Sequence, residues 1–197
     1  MKLILTSAST RRARILHDAG ISFTVLSSAV DETPYPKESP SELVQRLAIA
    51  KAEFAAVRAA GPTIIIGADT EVALDGQVFG KPRSSDDARS MLEKLSGRTH
   101  SVHTGVALIR LPDAKRITFV ETSLVTFAQL SADEITEYLA TGEPQDKAGA
   151  YAIQGHAGRF IPRIEGCYFN VVGLPLARLT HALVELGWTE EHAPTAV

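Results

Sequence analysis

The chain has 197 residues, 45% hydrophobic and 22% charged, enough to bury about 70% of its unfolded surface in one substantial core or two small lobes about a cleft. A formal charge of -3 and a pI near 6.1 offer no global attraction for long nucleic acid or acidic lipid, so an anionic ligand must be held by local clusters of Lys and Arg. One cysteine, Cys167, excludes an internal disulfide framework, and no apolar run approaches the roughly 20 residues that span a bilayer.

The opening "MKLILTSAS" falls far short of a signal-peptide core, so a soluble, cytoplasmic protein with no membrane partner is expected. "KLILTS" predicts a short buried strand that runs straight into a helix over "TRRARILHDAG", capped by Ser9 or Thr10 and ended by Gly20. "ISFTVLSS" predicts a second strand, and "DETPYPKESP" with its prolines a loop. Ser39 and Glu42 form a capping box with Pro40 at the first helical position, and Leu43, Leu47, Ala48 and Phe54 give the longest helix an apolar stripe.

"PTIIIGADTEVALDGQVFGKP" predicts a buried strand entering a hairpin at Asp75-Gly76. "SSDDARSMLEKLSG" is a capped helix, and residues 98–130 are two long strands about a turn at Pro112-Asp113. "SADEITEYLATGEP" is a further helix, residues 146–173 a glycine-rich, strand-containing stretch, and "LPLARLTHALVELGW" the last helix. The expectation is α/β: a mixed sheet in a single domain over 1–189, with a tail at 190–197.

Charged residues collect near strand ends. Asp69 follows the apolar run Ile64–Ile66, and in a regular strand Glu71 shares its face; taken alone, this is a turn aspartate with a solvated glutamate. "GQVFGKP" has the look of a phosphate loop, but its glycines are too close and Pro82 supplies neither amide nor hydroxyl. In the hairpin Lys81 falls opposite Thr70, and only a bulge near Gly80 or a long reach brings it to Asp69.

"TSASTRR" places the Ser7 hydroxyl and free amides at a helix start, with Arg11 and Arg12 set against the helix dipole unless an anion compensates. Glu32 at the rim of the proline loop and Lys51 within "LAIAKAEF" each read alone as solvated charges. The histidines lack HExxH spacing, His100 and His103 fall on opposite faces of their strand, and neither GxSxG nor GxGxxG occurs.

Together "TSASTRRARIL", "VDE", "RLAIAKA", "GADT", "GKPRSSDDA", "LSGRTHSVHTGVAL" and "GEPQDKAGAYAIQGHAGRFIPRIEGCYFNVVGLPL" resemble the Maf family of nucleotide pyrophosphatases, in order over nearly the whole chain. Arg12, Thr70 and Gln154 match the branch that acts on dTTP and UTP rather than on methylated GTP. The resemblance implies a fold similar to the inosine triphosphatase group, with an elongated mixed sheet, flanking helices and two lobes around a cleft. It implies hydrolysis of a nucleoside triphosphate between the α and β phosphates with a divalent cation, Mg2+ or Mn2+, as a house-cleaning activity.

On that resemblance Asp69 occupies the catalytic acid position, with Glu32, Lys51 and Lys81 at the other charged cleft positions. Asp69 and Glu32 would serve the metal, and Ser7, Arg11, Arg12, Thr70 and Gln154 the substrate; whether Asp69 is base or ligand stays open, as does a homodimer. Thr10 departs from the proline common there. A triphosphate carries about four negative charges, and its hydrolysis requires that charge to be neutralised by cations such as these. The alternative is a nucleotide-binding regulator of septum formation without significant catalysis, which would not need both carboxylates.

Overall fold

The computed structural model describes residues 1–189; the expected tail at 190–197 lies outside the described residues. In chain order the elements are β1 (Lys2–Leu5), α1 (Thr10–Asp18), β2 (Thr24–Val25), α2 (Pro40–Ala56), β3 (Thr63–Leu74), β4 (Gln77–Phe79) and α3 (Ser85–Leu95). They continue with β5 (Thr99–Leu111), β6 (Lys115–Thr126), α4 (Ala132–Ala140), β7 (Arg163–Glu165), α5 (Tyr168–Val172) and α6 (Leu176–Glu185). The strands form one seven-stranded sheet in the order β2-β1-β3-β5-β6-β7, with β4 folded back onto β3. β1 runs parallel to β2 and β3, and every other pair is antiparallel.

Two expected elements differ. "ISFTVLSS" keeps only Thr24–Val25 as strand, because its one neighbour, β1, ends at Leu5 opposite Val25. The glycine-rich stretch forms 3-10 turns at Ala148–Ala150 and His156–Phe160 and a strand only at β7; Gly149 takes the left-handed φ of 69° that such a kink requires.

The alternation of β3 divides the core. Ile64, Ile66 and Ala68 pack with Leu3, Leu5, α1 and α6. Further along the same face, Val72 and Leu74 join α3 and α4 in a second core. Thr70 stands between the two.

On the other face Ile65, Ala107 and Ile109 pack beneath Ala48, Ala52 and Ala55 of α2. The Ser39–Glu42 capping box forms as expected, and Leu43, Leu47 and Ala48 are buried. Phe54 instead lies on the flank under the Arg58 guanidinium, 3.8 Å from its ring centroid. The helix sits too close to the sheet for a large side chain there: a Cβ at Gly67 would lie 2.2 Å from the Ala48 carbonyl oxygen, and one at Gly105 2.2 Å from that of Val44.

The outer edge of β3 is covered in two pieces. β1 pairs with residues 63–66 and β4 with residues 72–74, which leaves 67–71 without a strand partner on that edge. This gap separates the two cores.

Candidate active site

A cleft of about 390 Å³ opens at the gap, where β1 has turned away into α1 and β4 has not yet begun. In a continuous sheet adjacent residues face opposite compartments. Here the missing neighbour lets both faces of β3 reach one opening, so Asp69, Thr70 and Glu71 all line the cleft.

The α2 side is ionic. Lys51 projects from α2 onto Asp69, its Nζ 2.6 Å from Oδ1, and lies 2.6 Å from Oε1 of Glu32 in the proline loop. The Lys51 and Asp69 side chains are only 9% and 10% exposed, so this is a buried pair for which loss of one partner leaves a costly charge. Burial pushes the Glu32 carboxyl up, but the bonded Lys51, with Lys81 and Arg12, outweighs it and holds the pKa below the usual value. Glu71, buried beside Asp69 and Glu32, is pushed up to about 8 and keeps its proton at neutral pH.

Lys81 reaches this side by leaving the hairpin. The turn at Asp75-Gly76 forms as expected, but pairing stops at Phe79 opposite Val72. The Gly80 carbonyl then accepts the Gly149 amide at 3.1 Å. Freed from the ladder, Lys81 lies in the cleft where its charge acts on Glu32 and Glu71.

The opposite side is a hydrogen-bonded lattice. Arg12 is buried and donates from Nε to the Gly173 carbonyl at 2.7 Å, from Nη1 to Ser7 Oγ at 3.0 Å and from Nη2 to Thr70 Oγ1 at 2.8 Å. Thr70 also bonds Thr104 Oγ1 at 2.9 Å. Ser9, not Thr10, caps α1. Of the two helix-start arginines, then, Arg12 is compensated by protein groups; half-buried Arg11 is the one whose placement calls for an anion.

Gln154 sits at the third position of a turn closed by the Gly155 amide on the Ala152 carbonyl at 3.0 Å. It is exposed, lines the cleft and makes no side-chain hydrogen bond among the described residues. Lys147, whose side chain is 15% exposed and contacts the Asp146 carboxylate, lines the cleft on the same segment.

All nine residues singled out from the sequence therefore line one cavity. Glu71 and Lys147 were the ones missed. The shared face of Asp69 and Glu71 was the available signal for the first, whereas Lys147 lies in a segment without periodicity. His100 and His103 do not converge: His100 is buried with Nε2 2.8 Å from the Tyr151 hydroxyl, and His103 lies among the hydroxyls of Ser41, Ser101 and Thr122.

Among the described residues no group of three or more His, Cys, Asp or Glu side chains could hold a metal unaided. A divalent cation nevertheless fits here, because Asp69 Oδ2 and Glu71 Oε2 are buried oxygens without a hydrogen-bond partner. Mg2+ is commonly held by one or two carboxylates together with substrate phosphates and water.

The fold is similar to that of the Ham1 protein of Staphylococcus aureus, with a TM-score of 0.52 at 17% identity over 95% of this chain and 100% of that one. The sequence is 50% identical to a dTTP/UTP pyrophosphatase of Symbiobacterium thermophilum, covering 95% of each chain. It is 48% identical to a protein of the same name from Moorella thermoacetica over 94% of this chain and 95% of that one. With residues 2–186 matching the family described as Maf-like protein, on a sheet whose gap gathers the very side chains on which the resemblance rested, this chain belongs to that family.

Proposed function

We propose that this chain hydrolyses dTTP and UTP to the nucleoside monophosphate and pyrophosphate. The observation that carries the reading is the buried Lys51–Asp69 pair beside Glu71, in which Lys51 occupies Oδ1 and leaves Oδ2 without a partner. Lys51 holds Oδ1 and aims the carboxyl, so Oδ2 is the acceptor for a proton of the attacking water as that water adds to phosphorus and the bond to the leaving pyrophosphate breaks. Arg11, Lys81 and Lys147 supply the positive charge that the phosphates require. Together with the substrate's phosphates, Asp69 and Glu32, with Glu71 beside them, would hold a divalent cation, Mg2+ or Mn2+, which when bound neutralises phosphate charge.

Arg12 fixes Ser7, Thr70 and the Gly173 carbonyl as a rigid floor for the nucleoside. Gln154 offers one acceptor and two donors to the N3–H and O4 edge of uracil or thymine. The names of the relatives and the match at Arg12, Thr70 and Gln154 support the choice of substrate. A lone cysteine that is only partly buried suits a reducing, cytoplasmic setting.

The test is incubation with MgCl2 and each of dTTP, UTP, CTP, ATP, GTP and 7-methyl-GTP, with pyrophosphate and monophosphate quantified. The expected order of kcat/KM puts UTP and dTTP first. Binding of UTP without release of pyrophosphate would give the regulatory reading instead, and preference for a purine would overturn the substrate assignment alone.

A further inference from the structure

Gln154 projects from a turn with no strand or helix to hold it, yet a residue that discriminates bases must be fixed to a fraction of an ångström. The turn is gripped from behind by one side chain. Glu143, at the start of a 3-10 turn over Glu143–Asp146, accepts the His156 amide on Oε2 at 2.8 Å and the Ala157 amide on Oε1 at 3.4 Å. The Tyr138 hydroxyl donates to the same Oε1 at 2.8 Å. Three donors converging on two oxygens call for an acceptor-only group, which an ionised carboxylate is.

Tyr138 is fully buried at 0% exposure, and its ring packs edge-on against Phe160 in the turn that follows Gln154. The carboxylate also lies against Gly155, where an added Cβ would stand 2.1 Å from Oε2. The glycine thus belongs to the clamp: its φ of -113° is not the left-handed kind that demands glycine, and the three atoms nearest an added Cβ all belong to the Glu143 carboxyl.

We propose that Glu143 is a positioning residue for base recognition, its carboxylate locking residues 155–157 so that Gln154 is held in the cleft. This rests on Gln154 as the reader of the base edge. The experiment compares kcat/KM for UTP and CTP, which differ at the edge Gln154 would read, in wild type, Glu143→Ala, Glu143→Gln, Gly155→Ala and Gln154→Ala. Glu143→Ala and Gly155→Ala are each expected to lower the UTP/CTP ratio about 10-fold, chiefly through KM for UTP, with kcat for UTP within about 3-fold of wild type. Glu143→Gln should fall between wild type and Glu143→Ala, since its carbonyl still accepts one amide and its NH2 can donate to the Tyr138 oxygen, but the second amide loses its acceptor.

If Glu143→Ala does not fold, Gly155→Ala decides, because it displaces the carboxylate without removing it. A folded variant of either kind with the wild-type ratio overturns the proposal, as does failure of both to fold, which would make the clamp a determinant of the fold alone. Gln154→Ala separates the two readings. If it lowers the ratio while Glu143→Ala does not, only the clamp has failed; if it leaves the ratio unchanged, Gln154 is not the reader and the proposal falls with it.

Discussion

On the α2 side of β3, Asp69 and Glu71 each keep a buried carboxyl oxygen without a partner, and Glu71, pushed up to about 8, is mostly protonated at neutral pH. On the opposite side, one residue away, Thr70 is bonded to Arg12 and Thr104, and Arg12 spends three donors on the protein itself. One wall of the cleft is electrostatically frustrated and the other is already satisfied. The frustrated wall has most to gain from a cation and a phosphate, whereas the satisfied wall can meet a ligand without rearranging. Substitutions on the two sides should therefore fail in different ways.

The largest effect is expected at Asp69. Asp69→Asn should lower kcat by about 10²-fold or more and lower the melting temperature by much less than loss of an isolated buried pair would, because Lys51 loses one carboxylate but keeps Glu32 as its second partner. Pyrophosphate release and thermal melting measured together would check this, and near-normal turnover would remove Asp69 from the chemistry.

Next comes Glu71, where function and stability should oppose each other. Its pKa is raised from an ordinary 4.5 to about 8, so the folded protein holds a proton that the unfolded chain gives up. The stability linked to this group is full below pH 4.5 and lost as pH rises toward 8. Without metal, Glu71→Gln should be more stable than wild type at pH 8 by on the order of 2 kcal/mol. The difference should vanish near pH 4.5, and turnover should fall. Chemical denaturation at several pH values gives the answer; a pH-independent difference would mean that Glu71 is not under electrostatic strain.

The smallest effect belongs to the satisfied wall. Thr70→Val removes one hydroxyl from the lattice and should cost about 1 kcal/mol of stability, with a rise in KM for UTP larger than any change in kcat. A change confined to kcat would place Thr70 with the chemistry instead.

What the sequence disclosed follows the range of the physics involved. The Ser39–Glu42 cap, the Asp75-Gly76 turn and the common face of Asp69 and Glu71 are local, fixed by backbone period or by neighbouring side chains. The gap at residues 67–71 depends on which strands flank β3, and strand order is not a local property. The same holds for Lys81, whose exit from the ladder needs the Gly80–Gly149 bond to a segment far along the chain. The bonds of Arg12 to Thr70 and Gly173, and the grip of Glu143 on the turn after Gln154, were hidden for the same reason. Family resemblance supplied Arg12, Thr70, Lys81 and Gln154 as positions without their geometry, and singled out neither Gly173 nor Glu143.

The contact of α2 with the bare backbone at Gly67 and Gly105 bears on how this enzyme tolerates change. Lys51 is carried by that helix, so its height above Asp69 is set by the absence of two methyl groups, at residues that do not themselves line the cleft. A methyl at Gly67 would have to lift the helix and draw the ammonium away from the carboxylate, and would present in an assay as a damaged catalyst with an intact binding pocket. Mutational damage to the chemistry can thus originate at a site that no substrate contact identifies, and a screen restricted to the cleft would overlook it.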